Sequence, residues 1–228
     1  GATTVPSGLG NVVAIVAASS FSLALKADGT VVGWGKNDFG QASAPSGLSD
    51  VVAIAGGFNH SLALKADGTV VAWGGSSTAP TSVPSGLSGV IAIAAGGNNS
   101  LTIRADGTVV GWGTTVIPSG LSSIVAASIG NYNGSALRSD GTIALWGDSA
   151  YGATTIPPGL ANVVGIDTGQ SFSMALRDAS GDSVPAIVAQ PVSQATSPGG
   201  TVTFSVTATG APAPSYRWSF NGMPIAGA

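Results

Sequence analysis

The chain repeats itself with a period of 39 residues. Trp34, Trp73 and Trp112 are 39 residues apart, and Trp146 follows 34 residues later. A fixed period of about 20–50 residues is the signature of solenoids, propellers and other repeat arrays. The period therefore excludes most single-copy folds. An Asp-Gly-Thr motif recurs at the same spacing, and its acidic residues are Asp28, Asp67, Asp106 and Asp140.

Each unit is predicted to be a run of short β-strands. In the first unit, apolar runs cover residues 12–17 and 21–26, and an Asp-Gly pair leads into a third run over 30–35. An Asp-Gly pair between two apolar runs is a strong hairpin signal, and we expect both residues at positive φ. A loop over residues 36–41 then leads to a short fourth segment that ends at the next proline. Four short strands in each repeated unit predict the blades of a β-propeller.

The repeat gives four complete blades and one partial blade over residues 1–183. The fifth repeat keeps its first two strands but has no Trp-Gly strand. Between Trp112 and Pro118, five residues are missing relative to the other repeats. Residues 1–6 nearly duplicate residues 152–157, which form the tail of a unit. We therefore expect an open arc that is part of a larger ring. A closed five-bladed ring completed by residues 1–6 is the alternative, since propellers of about four to eight blades exist.

A different pattern begins at residue 184. Apolar residues alternate at Val202, Phe204, Val206 and Ala208, which predicts a half-buried strand. Trp218 is expected on the next strand. This pattern resembles the B and C strands of an immunoglobulin-like sandwich, with Trp218 as its core tryptophan. The fold class predicted for the chain is therefore all-β, with propeller blades over 1–183 and an incomplete immunoglobulin-like sandwich over 184–228.

Composition excludes several classes of function. Charged residues make up 7% of the chain, the formal net charge is −3, and cysteine is absent. Proteins that bind nucleic acid usually carry a basic face, so no nucleic-acid partner is predicted. The longest apolar runs have the length of strands and fall short of the roughly 18 residues of a membrane-spanning segment. We therefore expect no membrane insertion by this segment.

Groups for catalysis are scarce in this sequence. The chain has no Cys, no Glu and one His, so a Ser-His-Asp relay would have to use His60. Phe or Asn stands at the same position in the other units, which favours a structural role for His60. Asp178 and Asp182 lack the longer ligand series of a calcium loop. We predict no catalytic residues, no cofactor and no metal site.

A variable pair of residues precedes the second strand of each unit. A position that varies between units while its neighbours stay fixed is free of packing constraint, so its side chains are expected to face solvent. Aromatic residues in such loops often anchor binding partners. The alternative is that the rings only cover the entrance of a strand. The predicted partner-binding residues are Phe58, Asn59, Asn98, Asn131, Tyr132 and Gln170.

Four motifs recur in a fixed order. They are Gly-Gly-Phe-Asn-His-Ser-Leu-Ala-Leu at residues 56–64, Asp-Gly-Thr at 67–69, Trp-Gly at 73–74 and Asn-Asp-Phe-Gly-Gln at 37–41. In this order they resemble the regulator-of-chromosome-condensation repeat family over about residues 1–183. The resemblance implies a propeller, typically seven-bladed, whose loops on one face contact partners. The chain departs from the family in blade number, and the family histidine survives only as His60.

The linkers between units resemble the bacterial branch of the same family. They read Val-Pro-Ser-Gly-Leu or close variants, and that branch includes a secreted propeller that inhibits β-lactamases. Propeller blades followed by an immunoglobulin-like module are similar to exported or surface proteins of environmental bacteria. The resemblance therefore implies an extracellular or cell-surface location.

The function predicted from the sequence is a non-enzymatic binding or scaffold module whose partner is a protein or a surface glycan. A secreted enzyme inhibitor of the β-lactamase-inhibitor type is one alternative. A propeller lyase or glycosidase that uses Asp acid and base groups is the other. A cluster of two or three Asp away from the turns would favour the enzyme, and a face rich in aromatic residues would favour binding.

Overall fold

The computed structural model describes residues 4–75, 80–149, 153–178, 183–189, 199–211, 215–220 and 223–225. The chain divides into two compact units, Gly1–Arg177 and Asp178–Ala228. The described residues form strands, turns and loops and contain no helix. Accordingly, no helix that could cross a membrane occurs among them.

The described residues of the first unit form four antiparallel sheets of three strands and one sheet of two strands. In each three-stranded sheet the middle strand pairs with both of its neighbours. The first two predicted strands are confirmed to the residue, and the third begins one residue later than predicted. The strands are β1 Val12–Ala17, β2 Phe21–Lys26, β3 Val31–Gly35, β4 Val51–Gly56, β5 His60–Lys65, β6 Val70–Gly74, β7 Val90–Gly96, β8 Asn99–Arg104, β9 Val109–Gly113, β10 Ile124–Ile129, β11 Asn133–Arg138, β12 Ile143–Gly147, β13 Val163–Thr168 and β14 Ser173–Arg177.

A three-residue turn joins the second strand of each complete unit to the third. In the first unit the Lys26 N–H donates to the Thr30 carbonyl at 2.9 Å. The Asp28 carboxylate accepts the Thr30 N–H at 3.0 Å and the Thr30 hydroxyl at 2.6 Å. The prediction that both residues of the Asp-Gly pair have positive φ is wrong, because only Gly29 does, at 76°. A three-residue hairpin loop needs one left-handed residue at its end, which glycine adopts without strain.

The predicted fourth strand of the blades is absent from the described residues. In the first blade residues 41–44 form turns and loop, and the Gln41 carbonyl bonds to the next sheet. The Gln41 carbonyl accepts the Ser61 hydroxyl at 2.7 Å and the Trp73 indole N–H at 3.0 Å. After the second blade the Pro80 carbonyl accepts the Trp112 indole N–H at 2.7 Å. These groups are held by side chains of the following blade, so the segment joins blades rather than extending a sheet.

The shortened unit lacks this connection. Five residues are missing between Trp112 and Pro118, in the segment that would supply the carbonyl for Trp146. The Trp146 indole is 5% exposed, and its N–H has no hydrogen-bond partner among the described residues. Within the described ranges, the deletion therefore coincides with a buried donor that has no partner at this blade junction.

This difference predicts unequal effects of one substitution at two tryptophans. Trp73→Phe removes a made hydrogen bond, whereas Trp146→Phe removes an unpaired buried donor, and both rings are at most 7% exposed. We expect Trp73→Phe to lower the free energy of unfolding by about 1 kcal/mol more than Trp146→Phe. Urea unfolding of the two variants measures this difference, and the lost ring volume cancels between them. Equal losses would contradict the assignment.

Hydrophobic cores lie between successive sheets. The first contains Leu23 of β2 and Trp73 of β6, the second contains Leu64 of β5 with Trp112 packed against it, and the third contains Leu101 of β8 with Trp146 of β12. Each core thus combines the middle strand of one blade with the tryptophan of the next. The prediction that the tryptophans pack between blades is confirmed for these three.

The first and last sheets of this unit are not joined to each other. Within the described residues, no strand among β1, β2 and β3 pairs with β13 or β14. Ile15 of β1 is 74% exposed, and Leu176 of β14 is 68% exposed. The described strands therefore show no pairing that closes a ring, and the choice between an open arc and a five-bladed ring stays a prediction. The number of blades in a larger ring stays a prediction.

The described part of the second unit, Asp178–Ala228, forms two short antiparallel pairs of strands. Strand β15, Ser183–Ala189, pairs with β16, Thr207–Ala211, and β17, Ser219–Phe220, pairs with β18, Met223–Pro224. The strand predicted through Val202 and Phe204 is wrong in position, because residues 201–206 are not in a strand and Phe204 is 46% exposed. The immunoglobulin-like identity of this unit and the domain boundary between residues 183 and 184 stay predictions.

Candidate functional site

The loops that precede the second strand of all five sheets meet at one end of the first unit. The strands β1, β4, β7, β10 and β13 are neighbours in sequence order, so the loops that follow them converge. These loops line a cavity of about 320 Å³, which we call the central depression. Its lining comes from residues 17–19, 56–58, 95–97, 129–131 and 168–170.

Close approach of the backbones explains the small residues around this depression. A Cβ at Gly96 would collide with the Ile129 carbonyl, and a Cβ at Gly130 would collide with the Gly169 carbonyl. Glycine is used where two backbones come this close, as expected for inner strands crowded around an axis. The walls of the central depression are therefore largely backbone, and its side-chain chemistry is concentrated at the rim.

A second and larger cavity opens on the same face, between the third and fourth sheets. Its volume is about 620 Å³, and we call it the lateral groove. Phe58 and Asn131 line both cavities, so the two form one continuous surface. The residues that line the lateral groove are Phe58, Asn98, Thr114, Thr115, Val116, Asn131, Tyr132, Gly147 and Asp148.

The structure brings five of the six predicted binding residues into these two cavities. Four line the lateral groove, Gln170 lines the central depression, and Asn59 lines neither. Tyr132 is 50% exposed, whereas Phe58 is only partly exposed. Their role in binding stays a prediction. The four predicted residues that line the lateral groove are Phe58, Asn98, Asn131 and Tyr132.

Sequence reasoning missed the remaining side chains of the groove. Thr114, Thr115 and Val116 follow β9, and Asp148 follows β12. The signal that could have found the first three is the loss of five residues before Pro118. A shorter loop after β9 changes the surface beside it.

A buried asparagine fixes the floor between the third and fourth sheets. The Asn99 amide donates to the carbonyls of Gly130 and Asn131, both at 3.0 Å. Its side-chain oxygen accepts the N–H groups of Thr114 at 2.9 Å and Thr115 at 2.7 Å. One side chain therefore holds the loop after β9 and the loop before β11 together beneath the groove.

The same repeat position connects other blades. Asn133 donates to the Phe172 carbonyl of the next sheet at 3.2 Å. His60 is fully buried, and its Nε2 lies 3.0 Å from the Ser100 hydroxyl, also on the next sheet. Burial lowers the pKa of His60 to about 4, which a backbone hydrogen bond at Asn99 partly opposes. These contacts support the structural role predicted for His60.

Acidic groups are not gathered among the described residues on the face that carries the two cavities. Asp148 is the one carboxylate among the described residues that line the lateral groove, and none of the described residues that line the central depression carries one. The turn carboxylates Asp28, Asp67, Asp106 and Asp140 lie in the hairpins at the opposite end of their sheets. Across the described ranges, no group of three His, Cys, Asp or Glu residues could hold a metal ion, and Asp182 lies outside those ranges.

The repeats match a known family model. The Regulator of chromosome condensation (RCC1) repeat matches residues 12–41 and 51–77, which cover the first two three-stranded sheets. No curated protein sequence matches the chain significantly. The sequence match therefore covers two of the repeated units.

Several solved structures, two of them of yeast RCC1 (Prp20), are similar to most of the chain. Yeast RCC1 (Prp20) in complex with Kap60 is 19% identical over 75% of this chain and 55% of its own, with a TM-score of 0.63. Human WBSCR16 is 19% identical over 76% of this chain and 60% of its own, with a TM-score of 0.62. Prp20p of Saccharomyces cerevisiae, described with its binding to Gsp1p and histones, is 18% identical over 76% and 57%, with a TM-score of 0.61.

These likenesses concern the fold. The chain spans 55–60% of the length of these three structures. Its repeated three-stranded sheets have the architecture of an RCC1-like propeller, which confirms the all-β propeller class predicted from the period. The blade number and the bacterial branch remain predictions.

Proposed function

We propose that this chain is a non-enzymatic protein-binding module that uses the face formed by the central depression and the lateral groove. The observation that carries the proposal is the convergence of five equivalent loops on one face, where they carry Tyr132 and Phe58. The Tyr132 ring is half exposed, at 50%. Aromatic anchors surrounded by polar amides are typical of protein-binding surfaces.

The related propellers support a protein partner over other classes. Yeast Prp20 is described in complex with Kap60 and with binding to Gsp1p and histones. By analogy in fold, we propose that a protein also binds this chain. The partner need not be the one that Prp20 binds, because the loops of a propeller, and not its fold, determine the function. An enzyme is disfavoured because Asp148 is the one carboxylate among the described residues that line the two cavities.

The proposal includes an exported or cell-surface location in a bacterium. Its support is the sequence pattern of residues 184–228, which resembles an immunoglobulin-like module after the repeats. An inhibitor that binds one enzyme is a special case of the same proposal, because it would use the same face. A glycan partner is the competing outcome, since aromatic rings and amides also bind sugars.

Site-specific cross-linking tests the proposed face. We expect benzoylphenylalanine at position 132 to give a protein adduct of discrete mass in an extract of the producing cells or their medium. The control carries the same group at Phe39, which is 42% exposed and lines neither cavity. Adducts of equal yield at positions 132 and 39, or none at 132, would contradict the proposal. Mass spectrometry after illumination reads out both variants.

A further inference from the structure

We propose that the lateral groove binds an extended peptide segment of the partner in which a large apolar side chain stands next to Lys or Arg. This inference rests on the proposed function and adds the chemistry of the partner. Three properties of the described lining residues carry it: an apolar wall, side-chain amides without partners, and a single charged group.

The apolar wall is formed by three side chains that the chain leaves partly uncovered. Val116 is 84% exposed and Tyr132 is 50% exposed. Phe58, in the loop between β4 and β5, completes the wall. A single exposed apolar residue carries no information, but apolar groups gathered on one concave surface indicate a binding site. The wall therefore fits an aromatic or a large aliphatic side chain.

The amides of the groove fit a peptide backbone. The side chains of Asn98 and Asn131 line the groove and make no hydrogen bond within the part of the chain that the structure describes. Each amide offers donors and an acceptor, as a peptide group does. An extended segment presents its N–H and C=O groups outward, so it can pair with both amides while a side chain enters the groove.

The charge of the groove selects for a cation. Asp148 is exposed, and it is the one charged residue among the described residues that line the groove. No Lys or Arg is part of this lining. Opposite charges across an interface favour the correct partner over others. A basic residue beside the apolar anchor would meet this carboxylate.

The groove is held in shape before a partner arrives. Asn99 fixes the N–H groups of Thr114 and Thr115 at 2.9 and 2.7 Å, and the Asp148 N–H donates to the Tyr132 carbonyl at 2.9 Å. Prior ordering lowers the entropy cost of binding. In the first blade a longer loop follows β3, and the Asn37 side chain fixes that loop through hydrogen bonds to Ala42 and Ser43. The five-residue deletion after Trp112 thus coincides with an open groove.

Titration of the isotope-labelled full chain with short peptides tests the inference. The probe is acetyl-Ser-Trp-Lys-Ser-amide, compared with peptides in which Glu replaces Lys or Ala replaces Trp. We expect saturable amide shifts at Val116, Tyr132 and Asp148 with a Kd of about 1 mM, and a preference of about threefold for Lys over Glu. Removing Trp from the peptide should weaken binding at least about tenfold.

Two variants and their matched controls locate the interaction. Tyr132→Ala should weaken binding about tenfold, and Asp148→Asn should remove the preference for the Lys peptide. Phe39→Ala and Asp38→Asn change an exposed ring and an exposed carboxylate outside the groove, and they should leave both values unchanged. An unaltered preference in Asp148→Asn would overturn the assigned role of its charge.

The remaining outcomes separate this inference from the proposed function. If no peptide shifts the groove residues while cross-linking at position 132 still yields a protein adduct, the peptide inference is wrong and the binding face stands. If neither experiment succeeds, both are wrong. Stronger shifts at the same residues with chitotetraose than with the Trp-Lys peptide would overturn the peptide inference in favour of a glycan.

Discussion

Leu64→Ala should lower the free energy of unfolding by about 2–5 kcal/mol, whereas Leu176→Ala should lower it by less than about 0.5 kcal/mol. The two leucines occupy the same position of the repeat, in β5 and β14. Leu64 is 3% exposed and packs in the core between the second and third blades, while Leu176 is 68% exposed. The same truncation leaves a cavity at one site and none at the other.

Urea unfolding of the two variants and the parent chain measures this difference. Because the removed atoms and the strand position are the same, the comparison isolates burial from propensity. A loss of more than about 2 kcal/mol at Leu176 would mean that the face of β14 is covered in solution, since only buried leucines lose that much. The exposure of Leu176 on β14 in the structure would then be wrong.

Repetition explains why strand boundaries were predictable. Five copies of one pattern let the apolar runs, the Asp-Gly turns and the tryptophans be aligned without any other sequence. A strand is fixed by its period of two and by the turn that follows it, and both signals are local. The bounds of β1 and β2 therefore follow from the sequence alone.

The fourth strand was not predictable by the same means. Its segment is short, and its fate depends on contacts with the next blade, which are not local in sequence. The Gln41 carbonyl bonds to Ser61 and Trp73, which lie 20 and 32 residues away. Tertiary hydrogen bonds of this kind override a weak strand preference. The alternating pattern near Phe204 failed for a related reason, because the described residues leave that side chain 46% exposed.

The candidate site was half predictable. Variation between units marks Asn131 and Tyr132 as positions free of packing, and the structure places both on the lateral groove. The loop over Thr114, Thr115 and Val116 was missed, because its position depends on the Asn99 side chain that holds it. A deletion in one repeat shows where a surface changes, but the shape that results requires the neighbouring blades.

Lowering the pH from 7 to 4 should destabilise the protein by about 3 kcal/mol through His60 alone. Burial lowers the pKa of this ring from 6.5 to about 4 in the folded protein. In the unfolded chain the ring binds a proton at its ordinary pKa. Between these two values the unfolded state binds more protons, so stability is full above pH 6.5 and is lost as the pH falls toward 4.

His60→Asn should flatten this dependence between pH 6.5 and pH 4. Asparagine stands at the same position in Asn99 and Asn133, where it bonds to loop carbonyls of the next blade, so the variant suits the fold. Thr69 hydrogen bonds lower the pKa of Asp67 below its ordinary value of 3.8. The stability that this carboxylate contributes is present above that value and is lost only at lower pH, outside the window of the histidine. Urea unfolding midpoints of both proteins at pH 7, 5.5 and 4 test this prediction. If the midpoint of His60→Asn falls with pH as steeply as that of the parent chain, another group causes the loss of stability.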